Sequence, residues 1–405
     1  MVASLTSAPR LVFAVTTDLN YDQRMQRVCG SLAKAGYIVE LIGWQRPSSV
    51  ALTVQPYKQH RLRGWFQKGK LFYLEYTIRL LWYLLRRRAD VWGCADLDAA
   101  LPIWARSRFG SQLFVYDAHE LFTEVPEVVG RPQIQRIWQW VEDFIVPRAQ
   151  LRYTVGPSLA RLFEQRHAGC FFAVVRNVPM GWENSATPLG DRQQPLAAVS
   201  AALALDAQLQ APSTRYQEAP VLLYQGVLNV GRGLAQLLDA MPQVPARLVI
   251  CGEGDCSGEL RQHAERLGLL ATGQVEFRGY VLPAELRQLT AQATVGIMLL
   301  ENTGLSYYYS LANKFFDYVQ AGVPQLCIDF PEYRALNAQH EVAALVPDLG
   351  PATLVAELAR LLPGGQPGAY HRRLAANCRL ARHEWNWQQE EKTLIGLYQT
   401  LLTRG

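Results

Sequence analysis

Short runs of consecutive apolar residues alternate along the chain with longer stretches in which apolar residues recur every three or four positions. The short runs are typical of strands buried on both faces, and the longer stretches have the period of amphipathic helices. In the first half, strands are predicted at residues 11–17, 37–43, 113–116 and 151–155, and helices at 22–35, 66–88 and 133–148. Such an alternation predicts a parallel sheet with helices on both faces.

The same alternation begins again in the second half, after an interruption. Residues 180–220 are rich in Pro, Gln, Ala and Ser, which predicts a linker with one short helix rich in Ala and Leu. Beyond it, strands are predicted at residues 221–224, 247–251, 275–278, 295–300 and 325–328, and helices at 234–241, 259–267, 283–291, 311–320, 351–362 and 385–402. The predicted fold class is α/β, with two Rossmann-like, doubly wound domains that face a cleft, where ligands of such sheets collect.

Composition narrows the function classes. The 405 residues carry a net charge of only +5, so electrostatics give no support for nucleic-acid binding. The seven cysteines are scattered and lie mostly in apolar runs, which argues against both a zinc site and a disulfide framework. The N-terminal residues lack the basic start and long apolar region of a signal peptide, and no apolar run reaches transmembrane length, so a cytoplasmic protein is expected.

The strongest local signal lies at residues 307–324, where a cation and a carboxylate fall at helical spacing. Ser310 is predicted to cap a helix that ends at Gly322. Lys314 and Asp317 are three residues apart and therefore share one face. The helix N-terminus and the Lys314 ammonium favour a phosphate, and the Asp317 carboxylate can accept hydrogen bonds from a ribose diol. This order of groups predicts a nucleotide diphosphate site, although taken alone the segment also fits an amphipathic core helix with two solvated charges.

Seven segments carry a further pattern, in order, over nearly the whole chain. They are LNYDQRMQRVCGSLAKAGYIVELIG (residues 19–43), VYDAHELFTEVPEV (115–128), VVRNVP (174–179), YQGVLNVGRGL (224–234), CGEGD (251–255), FRGYV (277–281) and SLANKFFDYVQAGVP (310–324). Together they resemble the GT-B fold glycosyltransferases, specifically the large family-four group of retaining enzymes. The resemblance implies an N-terminal acceptor domain at residues 1–180, a linker at 181–219 and a C-terminal donor domain at 220–384. It also implies that a terminal helix at 385–403 crosses back and completes the N-terminal domain.

The resemblance assigns the diphosphate contacts to the loops of the donor domain. Arg232 stands where the family usually has a lysine, and Val227 replaces a second basic residue of the family. The implied positive clamp is therefore Arg232 with Lys314, and the alternative for Arg232 is a solvated arginine in a turn. Glycines in these loops let the backbone approach a ligand closely. The glycines in question are Gly226, Gly231, Gly252 and Gly254.

The remaining donor contacts are implied near residues 280 and 310. Asp317 replaces the ribose-binding glutamate of the family, and Tyr309 replaces the glutamate that contacts the transferred sugar. Ordinary loop packing is the alternative role of Tyr309. The other implied donor contacts are Tyr280, Val281, Ser310, Leu311 and Asn313.

In the N-terminal domain the resemblance singles out His119, because the family histidine contacts the donor sugar close to the reacting carbon. A structural histidine is the alternative, and Glu120 is expected to bond a loop rather than to act as a base. Asp22 and Arg24 follow the first predicted strand and are candidates for acceptor or phosphate contact. A salt bridge from Arg24 to Asp22 or Asp18 is the alternative.

The implied activity is transfer of a sugar from a nucleotide-diphosphate sugar to an acceptor hydroxyl with retention of anomeric configuration, in cell-surface polysaccharide or glycolipid synthesis. The expected partners are the nucleotide sugar and a glycan or lipid-linked acceptor, without a metal or another cofactor. Two alternatives stay open. One is a nucleotide-sugar epimerase or phosphorylase on the same fold, and the other is a non-catalytic partner subunit, which the changes at Val227 and Tyr309 favour.

Residues 61–88 combine basic with aromatic side chains. Such a stretch fits a helix in a membrane interface, which would make the protein peripheral on the inner face of the membrane. It fits equally well an amphipathic helix packed on the sheet with a solvated basic end. The basic residues are Arg61, Arg63, Lys68, Lys70, Arg79, Arg86, Arg87 and Arg88, and the aromatic ones are Trp65, Phe66, Phe72, Tyr73, Trp82 and Tyr83.

Overall fold

The computed structural model describes residues 8–110, 112–182, 216 and 218–404. The chain divides into two compact units. The first comprises Met1–Asn177 with Thr303–Leu311 and Trp387–Gly405, and the second comprises Val178–Asn302 with Ala312–Asn386. The linker predicted at residues 181–219 falls almost entirely outside the described residues.

The first unit is built on a seven-stranded parallel sheet with the strand order β3-β2-β1-β4-β5-β6-β7. The strands are β1 (Arg10–Ala14), β2 (Ile38–Trp44), β3 (Lys58–Leu62), β4 (Val91–Ala95), β5 (Leu113–Ala118), β6 (Leu151–Thr154) and β7 (Ala173–Val174). The helices are α1 (Gln23–Lys34), α2 (Gly69–Leu84), α3 (Ala100–Ser107), α4 (Pro126–Val129), α5 (Pro132–Ile145), α6 (Pro157–Arg166), α10 (Leu305–Tyr308) and α15 (Trp387–Arg404). The strand order reverses between β1 and β4, so the loops after these two strands diverge and open a crevice at the carboxyl edge.

Both faces of the first sheet are covered, which explains why its central strands are apolar without alternation. Trp44 and Trp92 are fully buried in its core. The terminal helix α15 belongs to this unit, and the Trp387 indole donates a hydrogen bond to the Ser31 hydroxyl of α1 (2.8 Å). The last segment of the chain therefore helps to close the core of the first unit.

The second unit contains a six-stranded parallel sheet with the strand order β10-β9-β8-β11-β12-β13. The strands are β8 (Val221–Gln225), β9 (Arg247–Cys251), β10 (Val275–Gly279), β11 (Val295–Met298), β12 (Gln325–Ile328) and β13 (Ala343–Val346). The helices are α7 (Leu234–Ala240), α8 (Ser257–Arg266), α9 (Pro283–Gln292), α11 (Asn313–Ala321), α12 (Pro331–Gln339), α13 (Pro351–Leu361) and α14 (Ala369–Ala381). Two parallel sheets with interleaved helices confirm the predicted α/β class.

Four strands were not predicted from the sequence, namely β3, β4, β7 and β13. The edge strand β3 reads KQHRL and has no apolar run to mark it. The central strand β4 contains Gly93, where an added side-chain carbon would lie 2.4 Å from the Phe13 ring. Because the Phe13 ring of the neighbouring strand leaves no space for a side chain here, β4 has a glycine at this position. The strand therefore lacks the run of β-branched residues that usually marks a strand in a sequence.

Candidate active site

Glycine-rich loops follow β8 and β9 in the second unit and pack backbone against backbone. The Gly252 N–H donates to the Gly279 carbonyl (2.7 Å), and the Gly226 N–H donates to the Cys251 carbonyl (2.9 Å). A side-chain carbon added to Gly252 would lie 1.9 Å from the Gly226 carbonyl oxygen, and one added to Gly254 would lie 2.5 Å from the Leu228 carbonyl oxygen. These glycines bring the first loop of the unit close against the second.

We expect Gly252→Ala to destabilise the second unit by about 3 kcal/mol or more, because the residue combines a left-handed φ of 142° with a carbonyl contact that cannot yield. Urea denaturation measures the free energy of unfolding. The matched control is Gly258→Ala in α8, where the added carbon meets open space and should stabilise the protein by about 0.5–1 kcal/mol. Equal stability of Gly252→Ala and the native chain would refute the close packing.

Lys314 lies beside the first of these loops with its ammonium largely removed from water. The side chain is only 9% exposed, and Nζ lies 3.7 Å from the centroid of the Tyr224 ring. A carbon added to Gly226 would lie 3.3 Å from Nζ, so the ammonium faces the loop itself. Burial, together with the positive charge of Arg232, lowers the pKa of Lys314 well below its usual value, and the Asp317 charge opposes this shift only in part. Arg232 therefore lies close enough to Lys314 for its charge to act on the ammonium.

The start of the Lys314 helix differs from the prediction. Helix α11 begins at Asn313 after an extended Ala312 cap that contributes no side-chain hydrogen bond. The Ser310 hydroxyl instead donates to the Tyr307 carbonyl (2.8 Å) and closes the preceding short helix α10, so the prediction that Ser310 caps the helix was wrong. The Ala312 N–H donates a hydrogen bond to the Tyr333 hydroxyl (3.1 Å).

The other residues predicted to contact the donor differ in how far their side chains are exposed. Asn313 is exposed on the first turn of α11, and Leu311 is buried. Tyr309, which groups with the first unit, is partly buried against its core. Tyr280 is largely exposed after β10, and Val281 packs against apolar residues of the second unit.

Asp317 is held by Gln225, which is itself held by Thr290, and the sequence singled out neither residue. Gln225, at the end of β8, donates from Nε2 to the Asp317 carboxylate (2.9 Å). The Gln225 oxygen in turn accepts from the Thr290 hydroxyl (2.8 Å). Gln225 and Thr290 are both buried, so they fix the orientation of a carboxylate that remains partly exposed one turn after Lys314.

A cavity of about 400 Å³ lies within the second unit beside the same loop. Gly231 and Arg232 line it together with His263 and Glu301, which lie on other elements. The Glu301 N–H donates to the Gly231 carbonyl (2.9 Å), which anchors the loop at this point. Arg232 therefore borders a concave surface, and its charge also acts on the Lys314 ammonium.

The first unit presents a separate cluster of charged groups at the carboxyl ends of β4 and β5. His119 directly follows β5, and its Nε2 lies 3.1 Å from the Asp117 carboxylate while its Nδ1 lies 3.5 Å from the Asp96 carboxylate. The backbone N–H of His119 also donates a hydrogen bond to the Asp96 carboxylate (2.8 Å). Burial alone would lower the pKa of His119, but the charges of Asp117 and Asp96 outweigh it and raise the pKa to about 9. At neutral pH His119 is therefore an imidazolium, which can donate to an oxygen and cannot act as a base.

Arg24 occupies the inside of this cluster. Its guanidinium holds the Asp117 carboxylate through two hydrogen bonds (2.7 and 3.2 Å) and donates a third to the Val175 carbonyl (2.9 Å). Burial opposes ionisation of Asp117, yet the charges of Arg24 and His119 bring its pKa down to about 2. Arg24 thus has an internal structural role, and its salt bridge runs to Asp117 rather than to Asp22 or Asp18.

Asp22 also has a structural partner, because it caps α1 by accepting from the Met25 N–H (3.0 Å). The Thr17 hydroxyl donates to its second oxygen (2.8 Å). These bonds fix the loop that follows β1, and Asp22 remains partly exposed on it.

Asp96 and Asp98, in the loop after β4, belong to the same cluster and were missed by sequence reasoning. Asp96 is the non-glycine residue with positive φ (56°) among the described residues, which places it in the left-handed region. The Thr16 hydroxyl, after β1, donates to Asp98 across the point where the strand order reverses. Burial and the charge of Asp96 raise the pKa of Asp98 to about 7. The spacing DLD directly after a short apolar run was the available signal.

Each unit therefore offers its own set of polar groups at the carboxyl edge of its sheet. The second unit offers a cationic site for an anion, and the first offers an imidazolium with a carboxylate that titrates near neutrality. Within the described part of the chain, no group of three or more His, Cys, Asp or Glu side chains is arranged to hold a metal ion.

Part of the chain matches a known protein family. Residues 219–363 match the family model for Glycosyl transferases group 1. The second unit is a group 1 glycosyltransferase domain. A comparison with curated proteins finds no match by sequence.

The chain also resembles solved structures over nearly its whole length. A sucrose-phosphate synthase from Thermosynechococcus elongatus superposes with a TM-score of 0.74 at 17% identity, covering 98% of this chain and 100% of that one. HepE from Anabaena, in complex with UDP and glucose, gives a TM-score of 0.69 at 12% identity, covering 97% and 100%. WaaG, a glycosyltransferase involved in lipopolysaccharide biosynthesis, gives 0.62 at 14% identity, covering 95% and 98%. The fold is thus GT-B, and the predicted assignment to the GT-B glycosyltransferases is confirmed.

Proposed function

We propose that this glycosyltransferase moves a sugar from a nucleotide-diphosphate sugar to an acceptor hydroxyl with retention of anomeric configuration. The observation that carries the proposal is the buried Lys314 ammonium, which lies against an aromatic ring and near a second cation. Among the described residues it has no carboxylate within ion-pair distance. An ammonium buried near a second cation at a cost in desolvation is stabilised by a polyanion, and a diphosphate supplies it.

The proposed donor site follows from the contacts around Lys314. Lys314 and Arg232 bind the diphosphate, and the Asp317 carboxylate, oriented by Gln225, accepts hydrogen bonds from the ribose. When the bond between the anomeric carbon and the phosphate oxygen breaks, negative charge grows on that oxygen. The two cations stabilise this charge in a site with little water, where such interactions are strong.

Retention requires that the acceptor attack on the face from which the diphosphate leaves. In the proposed reaction the acceptor oxygen bonds to the anomeric carbon, and its proton passes to the departing phosphate oxygen. The two products are the glycoside and the nucleoside diphosphate. As an imidazolium, His119 contributes positive charge that stabilises developing negative charge.

The acceptor is proposed to be a glycan or a lipid-linked molecule in the synthesis of a cell-surface polysaccharide or glycolipid. WaaG, named for lipopolysaccharide biosynthesis, and HepE, which binds UDP and glucose, share the fold and support this class of chemistry. We further propose that the enzyme works from the cytoplasm as a peripheral protein on the inner face of the membrane.

The test is incubation of the purified chain with UDP-, GDP- and ADP-sugars and a set of lipid-linked and oligosaccharide acceptors. The expected product is a glycoside with the anomeric configuration of the donor, read by NMR. An inverted product would refute the retaining assignment. A sugar nucleotide altered without an acceptor would point to an epimerase, and phosphorolysis of a glycoside would point to a phosphorylase.

Donor binding is expected to raise the apparent melting temperature by mass action, because the ligand binds only the folded chain. At a donor concentration of 100 times Kd the stabilisation is about 2.7 kcal/mol. Differential scanning fluorimetry with each of the three nucleotide sugars measures it. If no nucleotide sugar shifts the melting temperature, the non-catalytic partner subunit becomes the better interpretation.

A further inference from the structure

The outer face of α2 is apolar, although a helix that covers a sheet normally turns polar side chains to water. Its inner face, formed by Phe72, Tyr76, Leu80 and Leu84, is buried against the sheet. The outer face carries large apolar side chains spaced three or four residues apart, each more than half exposed. They are Leu71, Leu74, Ile78, Trp82 and Leu85, here called the α2 stripe. An apolar stripe of this length in a single unit indicates a surface that is covered in use.

The surroundings of the α2 stripe are strongly basic. Residues 61–88 contain eight Lys or Arg residues and one acidic residue, Glu75, which gives a net charge of +7 (8 − 1). The Arg86 guanidinium lies 3.6 Å above the Trp82 ring, and the Arg79 guanidinium lies 4.9 Å from the Trp65 ring. Trp65 is itself 83% exposed. Aromatic rings with guanidinium groups over them suit the boundary between hydrocarbon and headgroups.

A cavity of about 760 Å³ opens beside the α2 stripe, and it is lined by Trp82 of the stripe and by Arg79 of the same helix. Arg61, Arg63 and Tyr83 also line the cavity, and among the described residues that line it there is no carboxylate. We call it the arginine cavity. Its positive charge and aromatic wall match a phosphate group attached to an apolar body.

The three arginines of the arginine cavity differ in whether a carboxylate already balances their charge. Arg61 forms an ion pair with Asp18, and Arg79 forms one with Glu75 (2.8 Å). Arg63 donates to the neutral Gln45 side chain (2.9 Å), without a carboxylate partner in the described part of the chain. Glu75 also accepts from the Trp65 and Phe66 N–H groups, so its charge is divided between Arg79 and the backbone. The arginine cavity therefore keeps an excess positive charge.

We propose that the α2 stripe lies in the surface of a membrane that contains anionic phospholipid, with a phospholipid headgroup phosphate in the arginine cavity. The inference names the lipid partner of the proposed location on a membrane and rests on that part of the proposed function, but not on sugar transfer. Among the described residues, no helix is long and apolar enough to cross a bilayer. A helix that lies in the membrane interface needs neither that length nor that degree of apolarity. The charge excess selects an anionic surface over a neutral one.

The first test is cosedimentation of the purified chain with vesicles of phosphatidylcholine alone or with one third phosphatidylglycerol. We expect binding to the anionic vesicles that weakens as salt is added. Replacing Ile78→Ser and Trp82→Ser together should weaken it at least about tenfold, because both side chains are lost from the hydrocarbon boundary. Equal binding to both vesicle types, or none, would overturn the proposal.

The control variant is Trp140→Ser on α5 of the same unit. Trp140 is 60% exposed and Trp82 is 64% exposed, so Trp140→Ser and the Trp82→Ser half of the double variant remove similar apolar surface from different faces. The control should bind anionic vesicles as the native chain does. If it loses as much binding as the α2 stripe variant, binding is not specific to α2 and the proposal fails.

A second test addresses the arginine cavity with Arg63→Gln and the exposed control Arg136→Gln, which change the same net charge. Near an anionic surface one arginine strengthens the binding affinity about fivefold. We expect at least this loss for Arg63→Gln, and a smaller loss for Arg136→Gln on α5. For dihexanoyl phosphatidylglycerol as free monomers, only Arg63→Gln should weaken binding. Equal effects of the two variants on this soluble lipid would refute a headgroup site in the cavity.

Membrane binding and sugar transfer can fail separately. A Lys314→Met chain should bind vesicles normally, since the substitution is in the second unit and leaves the α2 stripe unchanged. Transfer to a soluble oligosaccharide should in turn survive the Ile78→Ser and Trp82→Ser changes. Loss of vesicle binding in the Lys314→Met chain would contradict the assignment of the lipid surface to α2.

Discussion

Replacing Lys314→Met is expected to lower kcat for sugar transfer by about 10²–10³, since one preorganised donor to a developing negative charge is typically worth this much. Methionine is close to lysine in length and retains the apolar part of the side chain. The Tyr224 ring and the Gly226 backbone therefore keep a neighbour of similar shape. Initial-rate kinetics at saturating nucleotide sugar measure the effect.

The same substitution should not weaken the fold. Since the pKa of Lys314 is depressed by burial and by Arg232, the unfolded chain binds this proton more tightly than the folded chain. Stability therefore rises with pH between the depressed folded pKa and about 10.4, and at neutral pH the buried charge costs stability. Lys314→Met removes that cost, so urea denaturation should show an unchanged or increased free energy of unfolding.

Lys392→Met is the matched control, because Lys392 is exposed on α15 and its ammonium bonds only to Gln389 (2.9 Å) among the described residues. Activity and stability should both stay at the native level. A Lys314→Met enzyme with full kcat would show that the diphosphate binds elsewhere. A large loss of stability would instead show that Lys314 is a structural residue.

The sequence predicted those parts of the fold that leave a periodic signal. Strands β1, β8 and β9 are buried on both faces and read as apolar runs, and helix α11 has buried apolar residues, among them Phe315, Phe316 and Val319, at helical spacing. The edge strand β3 has polar residues because it needs no second covered face, so periodicity could not find it. Ser310 was misassigned because its hydroxyl closes the short helix α10, which is too brief to leave a period.

The proximity of polar side chains was predicted where one segment carries them, and it was missed where the strand order brings them together. Lys314 and Asp317 are on one helix turn, so their proximity is visible in the sequence. Asp96 meets His119 because β4 and β5 are neighbours, and Gln225 meets Asp317 although 92 residues separate them. Such contacts depend on the topology of the sheet, which a local pattern does not specify.

The second large effect is expected for stability, with Asp117→Asn. Asp117 accepts two hydrogen bonds from the buried Arg24 and pairs with His119. Removing one partner leaves the guanidinium buried without its counter-charge, which typically costs about 3–5 kcal/mol. Urea denaturation at pH 6 measures the loss. Asp143→Asn, an exposed carboxylate on α5 of the same unit, should change the free energy of unfolding by less than about 0.5 kcal/mol.

The pH dependence of stability distinguishes loss of the Asp117–His119 ion pair from a general destabilising effect of the substitution. The folded pKa of Asp117 is depressed to about 2, so its contribution is complete above about pH 4 and is lost as the pH falls toward 2. The folded pKa of His119 is raised to about 9, so its contribution is complete below about pH 6.5 and is lost as the pH rises through 9. Asp117→Asn should flatten both limbs, because it removes one titrating group and the main charge that raises the pKa of the other. If Asp117→Asn keeps the native alkaline limb, Asp117 does not hold the charge of His119, and the imidazolium assigned to the reaction loses its physical basis.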